Sequence, residues 1–363
     1  MTHKPKNRTI RTLAVSIAIF SLMLLGCGGS DEPGDPKAGG NDTDQAAGKG
    51  GAVETFLSGL TAFNEANLEQ LLEVYTFEAT WDMPSSEAPL VRGRKAVARQ
   101  IVAFKGLLPE STIGARRVLE GDGWIVIQAV VNGTHRWNAQ GIARSPKKVG
   151  YEMIYFVRAD DAGKADETIV YYDQTSLRRQ LGAMKGATPA VPVWPEQLER
   201  VGESGSEANV ALVKQLLAVV EKGEFDGLDA LVTDSFTLYD RASSRQYSLA
   251  QVKKRLGTER ESFAAPRIEI GQVVSAGRYV ALRFVQNSTY QGPDERADTE
   301  AGEPVTFHGA HVFEISGGKI AALETYANEM ELIRQAKRLA AEKKAAEADA
   351  GVSSPPTAAP PGD

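Results

Sequence analysis

The chain has 363 residues, 42% of them apolar, and 41 Lys plus Arg against 47 Asp plus Glu give a net charge of −6. That length suits about two domains and the apolar fraction is ordinary for a globular protein. An acidic balance without a basic block excludes a nucleic-acid footprint, and a lone cysteine, Cys27, excludes an internal disulfide framework.

The amino terminus reads as an address. Lys4, Lys6, Arg8 and Arg11 form a positive head with no acid among them, and Leu13 to Leu25 is almost wholly apolar. The apolar run is shorter than the roughly 20 residues that a membrane span requires, and the order of zones is that of a secretion signal. Its ending, Leu24-Leu25-Gly26-Cys27, resembles the lipobox of bacterial lipoproteins. The resemblance implies removal of residues 1–26 and acylation of Cys27. It thereby implies a lipid membrane as partner and a lipid-anchored place in the bacterial cell envelope. Gly28 in place of Asp implies the outer membrane where the organism has two. Loss of the head leaves 37 basic against 47 acidic residues, a net charge of −10. Residues 27–51, rich in Gly, Asp, Ala and Lys, are expected to be a disordered tether, since they bury too little to offset their ordering entropy.

An internal repeat sets the rest. Residues 124–135 align with 279–290 without a gap at an offset of 155, so that Trp124 meets Tyr279, Asn132 meets Asn287 and Thr134 meets Thr289. The same offset carries Tyr171 to Tyr326, Leu177 to Leu332, Gln180 to Gln335 and Asp173 to Asn328. Upstream, Leu68 to Leu71 matches Leu228 to Leu231 at an offset of 160. Two homologous domains are expected at 52–182 and 207–337. Between them lies a linker, 183–206, that carries Pro189, Pro192 and Pro195.

Each copy opens with helices. Phe56, Leu57, Leu60 and Phe63 recur at helical spacing, as do Val210, Val213, Leu216 and Leu217. Short second helices follow at Leu68 to Tyr75 and Leu228 to Val232. A strand then carries Trp81, and its counterpart carries Tyr239. Third helices are expected at 95–106 and 249–256. Strands fill 116–120, 124–137, 149–157, 167–173 and 305–315, with Gly121-Asp122-Gly123 as a hairpin turn. The tail, 338–363, is expected to be helical to about Ala350, to stop at Gly351 and then to be disordered. Helices followed by antiparallel strands make an α+β domain with helices on one face of a curved sheet.

This order resembles the nuclear transport factor two superfamily, which implies two tandem cone-shaped domains, each a curved antiparallel sheet around a pocket that helices plug. The first copy resembles the SnoaL-like polyketide cyclases in Gly133-Thr134-His135 and in Asp173, Leu177 and Gln180-Leu181-Gly182. Ser145-Pro146-Lys147-Lys148 departs from the family's Pro-Thr-Gly. The resemblance implies that Asp173 is a general acid/base, its pKa raised by an apolar pocket, and that His135 polarises a carbonyl or steadies the acid. Asp173 equally suits a helix cap. Asn328 in the second copy would cap as well, which favours the cap. His135 among aromatics also suits a pocket wall.

Trp81, Trp137, Tyr151, Tyr155, Tyr290 and Asn328 are candidate pocket residues. His308 and His311 form His-x-x-His, but on a strand residues three apart face opposite ways, so no metal site is expected, and no cofactor motif is read. The function expected is capture of a small apolar ligand without turnover. The alternatives are a cyclase, isomerase or hydrolase of a small carbonyl compound, and an envelope scaffold. Pairing of the two domains through their sheets within one chain is a further expectation.

Overall fold

The computed structural model describes residues 51–86, 90–136, 138, 142–291 and 302–352. The expected signal, Cys27, all of the expected tether but Gly51, Trp137 and residues 353–363 lie outside them. Helix α1 (Gly51–Asn64) turns Val53, Phe56, Leu60 and Phe63 inward, the stripe of an amphipathic helix. Asn67 caps α2 (Leu68–Glu73) by accepting from the Gln70 amide. There follow β1 (Tyr75–Asp82), β2 (Val91–Arg92), α3 (Arg94–Leu107), β3 (Thr112–Gly121), β4 (Trp124–Thr134), β5 (Lys148–Ala159), β6 (Ala165–Tyr172) and α4 (Gln174–Gln180). At the β3–β4 turn Asp122 (φ 54°) and Gly123 (φ 77°) both take positive φ, as a two-residue hairpin requires.

Within the expected linker a short strand, β7 (Glu199–Val201), adds in parallel beside β3. The second copy is α5 (Glu207–Lys222), α6 (Leu228–Leu231), β8 (Val232–Asp240), β9 (Arg245–Ser248), α7 (Leu249–Ser262), β10 (Phe263–Ala276), β11 (Tyr279–Tyr290), β12 (Pro304–Ser316), β13 (Lys319–Ala327) and α8 (Glu329–Val352). Helix α8 continues through Gly351, where a stop was expected. A glycine ends a helix where it turns left-handed, as Gly223 (φ 80°) does after α5, and otherwise costs only about 1 kcal/mol. Among the described residues no helix is long and apolar enough to cross a membrane.

The strand orders match: β2-β1-β6-β5-β4-β3, with β7 outside, and β9-β8-β13-β12-β11-β10. The sheets are mixed and not wholly antiparallel, because β1 runs parallel to β6 and β8 to β13. The cause is the helical crossover, α3 or α7, which brings the chain back in the direction it left. Each sheet therefore curves under its own helices, as an α+β cone.

Alternation along the strands separates two apolar layers. On β5, Tyr151, Met153 and Tyr155 face the helices of the first domain, while Ile154 and Phe156 face away. The outward layer, with Leu119, Val126 and Tyr171, forms one cluster with Val274, Tyr279, Val312 and Tyr326 of the second sheet. The two sheets thus pack back to back.

Polar contacts cross this layer in related pairs. The Gln128 amide donates to the Tyr326 hydroxyl at 2.8 Å. At the same offset of 155, Arg283 hydrogen-bonds the Tyr171 hydroxyl. Glu324 has no such twin. It accepts from Arg116 at 2.5 Å, Arg117 at 2.8 Å, Arg241 at 2.7 Å and Gln128 at 2.9 Å. Burial opposes its charge, but Arg116, Arg241 and Arg117 outweigh burial and hold its carboxyl down to about 2.

Candidate functional site

The first cone is nearly full. Its cavity measures about 40 Å³, room for only a few waters at roughly 10–15 Å³ each. Of the residues the sequence singles out, Trp81 and Tyr155 line it. Their rings meet edge to face at 6.1 Å, and Phe56 meets Tyr155 at 5.5 Å. Tyr151 packs behind, against Tyr172 and Phe104.

Asp173 and His135 are not in that wall. Asp173 is buried as the cap of α4, accepting from the Thr175 amide at 3.1 Å and the Ser176 amide at 2.7 Å. Burial pushes its carboxyl up to about 6, with the Thr175 hydroxyl opposing and the Glu329 charge adding to the rise. His135 is buried beside the loop after β4, with Nδ1 3.3 Å from the Ser145 hydroxyl and Nε2 without a partner. The structure does not bring these two residues together on a cavity. Asn328 and Tyr290 likewise stand outside the second cavity's wall. Asn328 is wholly buried, donating to the Ser85 carbonyl at 2.7 Å, and Tyr290 packs on Phe263.

The larger cavity belongs to the second cone and measures about 210 Å³. Strand register shows why. Tyr155 pairs with Ile127 and Val170, and His311 pairs with their counterparts Leu282 and Thr325. His311 therefore stands where Tyr155 stands, one residue beyond the offset of 155. By the same register Gly309 replaces Met153. On β1, Trp81 lies beside Thr168, and on β8, Leu238 lies beside the matching Leu323. The counterpart of Trp81 is thus Leu238, not Tyr239, whose ring lies under the Arg241 guanidinium at 5.1 Å. Three bulky side chains give way to smaller ones. Phe284 recovers part of the space by lying over Gly309 and stacking on His311 at 4.3 Å.

Most of the wall is aliphatic, with Leu216, Leu228, Val252, Leu256 and Leu323 among its residues. A polar row crosses its floor. His311, Thr325 and Asp240 sit side by side on β12, β13 and β8, and all three line the cavity. Asp240 is engaged, accepting from the Ala242 and Ser243 amides and, at 3.0 Å, from Arg255. Arg255 also donates to Glu259 at 2.9 Å. His311 Nδ1 is buried without a partner. Burial holds its imidazole down to about 3, so the ring is neutral near pH 7.

The sequence flags His311 only as half of His-x-x-His and misses Thr325, Asp240 and Arg255. The histidines do face opposite ways, for His308 pairs with Glu331 at 2.5 Å outside the cavity. Among the described residues no three His, Cys, Asp or Glu side chains converge as a metal would need.

Residues 55–181 match the SnoaL-like polyketide cyclase family, and residues 213–323 match the SnoaL-like domain family. No curated protein matches the chain. A SnoaL-like polyketide cyclase from Agrobacterium tumefaciens aligns in structure at 18% identity and a TM-score of 0.31, covering 36% of this chain and 98% of its own. A protein of ketosteroid isomerase-like fold from Catenulispora acidiphila, in complex with trimethylamine, aligns at 16% identity and a TM-score of 0.31, covering 36% and 92%. The two family matches, one on each cone, show that this chain carries two SnoaL-like domains in tandem.

Proposed function

We propose that the protein is a lipid-anchored envelope protein that captures a small apolar molecule in its second SnoaL-like domain and does not transform it. The observation that carries this reading is the 210 Å³ cavity, walled mainly by aliphatic side chains with a few polar groups, the composition of small-molecule sites. Two further observations support binding over turnover. The Asp173 carboxylate is engaged by the amides at the head of α4, and a histidine with its pKa held to about 3 is a poor proton acceptor near pH 7. The anchor rests on the lipobox at Leu24 to Cys27 and on the composition of the segment after it.

Two experiments test the reading. Purified mature protein is melted against a panel of neutral and charged apolar compounds, since a ligand that binds only the folded state raises the melting temperature. If no member of the panel shifts the melt, the capture reading fails. Independently, Cys27→Ala is expected to move the protein from the membrane to the soluble fraction and to abolish labelling by fatty acid. Retention in the membrane by the unlabelled variant would overturn the anchor.

A further inference from the structure

We infer that the second cavity takes a neutral molecule with an apolar body and one hydroxyl or carbonyl oxygen, held by His311 and Thr325, and that it rejects anions. This rests on the capture reading above and names the ligand's chemistry.

The first argument is the exchange along one row. In the first cone the row reads Ile127, Tyr155 and Val170, with Met83 one residue beyond the last paired position of β1. The sole polar atom there, the Tyr155 hydroxyl, donates to Met153 Sδ at 3.2 Å. In the second cone the row reads Leu282, His311, Thr325 and Asp240. Two apolar places become polar, Thr325 for Val170 and Asp240 for Met83, and an imidazole replaces the phenol, on the floor of the cavity that has room.

The second argument is satisfaction. A neutral imidazole offers one donor and one acceptor, and His311 Nδ1 is enclosed with no partner. Such a group is costly to leave unpaired. The ring lines the cavity, and a ligand oxygen there, together with the Thr325 hydroxyl, would give the imidazole a partner.

The third argument is charge. Asp240, Glu259 and Glu329 line the cavity against one guanidinium, Arg255, which two of those carboxylates already hold. Glu329 is held from outside the cavity by Arg179 at 2.7 Å. A carboxylate or phosphate entering here would be desolvated without a cation to receive it.

The test titrates the whole mature protein near pH 7 with three matched probes: naphthalene, 2-naphthol and 2-naphthoate. The expected order is 2-naphthol about tenfold tighter than naphthalene, the worth of one net hydrogen bond, with 2-naphthoate weakest. Thr325→Val and His311→Leu are expected to reduce that tenfold preference to about two or less while naphthalene still binds, which shows that fold and cavity persist. Equal binding of 2-naphthol and 2-naphthoate would overturn the inference, as would a preference that survives in both variants, and capture itself would stand in either case. Failure of all three probes would overturn capture as well.

Discussion

Asp173 and Asn328, 155 residues apart, cap each other's helices. Asp173 Oδ1 accepts from the first amide of α8, that of Glu329, at 3.3 Å, and Asn328 Oδ1 accepts from the first amide of α4, that of Gln174, at 3.2 Å. Beside them Arg179 donates to Glu329 at 2.7 Å and Arg334 to Gln174 at 2.9 Å. Those partners are again related by 155. With the Gln128–Tyr326 and Arg283–Tyr171 contacts, three kinds of contact repeat across one approximate two-fold. This is the self-complementary pattern of a symmetric dimer, built inside one chain. It also accounts for the exchange of acid for amide. Asp173 accepts from the Thr175 hydroxyl at 2.5 Å, which suits a carboxylate. Asn328 must donate to the Ser85 carbonyl, which only an amide can do. Two carboxylates here would also repel.

Asp173→Asn is therefore expected to leave the fold intact and to change its pH response. Burial raises the Asp173 carboxyl from 3.8 to about 6. A group with a raised native pKa gives stability that is fully present below 3.8 and lost as pH rises through about 6. The shift is worth about 3 kcal/mol in all, at roughly 1.4 kcal/mol per unit, and relative to the variant the wild type should lose roughly 2.4 kcal/mol of it between pH 4 and pH 7. Urea unfolding of both proteins across that range measures it. His308, raised in the folded state, and His311, held to about 3 there, also make stability pH-dependent over this range, but they cancel in the difference. A difference that stays flat would sink the assignment.

Glu324→Gln is expected to be the costlier change at the sheet interface. It leaves Arg116, Arg117 and Arg241 crowded around a neutral group, and breaking a buried ion pair from one side costs about 3–5 kcal/mol. Tyr326→Phe removes one hydroxyl that Gln128 and Arg116 share, for about 1 kcal/mol. The Glu324 pKa is depressed to about 2, so its stability is present above 4.5 and lost as pH falls toward 2. Guanidinium unfolding at pH 7 and pH 3 checks both points, since the Gln variant should lose much less than the wild type on acidification.

Much of this organisation was legible in the sequence. The repeat shows because β4 with β11, and β6 with β13, keep one offset, and Gly121-Asp122-Gly123 marks its turn because only a few residue types accept positive φ. The site was less legible, because the offset slips by one residue on β5 and β12 and by two on β1 and β8. A slip of one residue turns a strand's side chains to the other face. Hence Tyr239 stood in the sequence as the counterpart of Trp81, where Leu238 is, and nothing in the pattern marked the second cavity as the larger. The roles of Asp173 and Asn328 were half legible. A cap can be read locally, but its exchange between helices depends on how the sheets pack, which no local pattern carries.

Opening the first cone by the second cone's substitutions tests this account of the cavities. Trp81→Leu with Tyr155→His removes the two rings that fill the centre. The double variant is expected to lose roughly 3–5 kcal/mol or more, as large-to-small changes in a core do, and to gain a site for naphthalene that the wild-type first domain lacks. Denaturation gives the first quantity, and titration in a background with the second cavity filled gives the other. A stable double variant that binds no additional naphthalene would mean that the cone collapses around the loss, and register would then not explain the difference in volume.

Gly309→Ala probes the second cavity from its floor. A Cβ at Gly309 would lie 2.6 Å from Phe284 Cζ and 3.0 Å from the Tyr326 carbonyl oxygen. The backbone contact is tight, so the ring must yield, and the cavity beside it gives it room to do so. Phe284 would then leave its stack on His311 and swing into the space that a ligand needs. The expected cost to stability is about 1–3 kcal/mol, the ordinary price of overpacking. The expected effect on 2-naphthol is a loss of affinity of tenfold or more, because Phe284 would compete for the same volume. Thr325→Val, by contrast, should weaken 2-naphthol while sparing naphthalene, since it removes a hydroxyl and no space. If Gly309→Ala spared both probes, the ligand would have to sit away from Phe284 and His311.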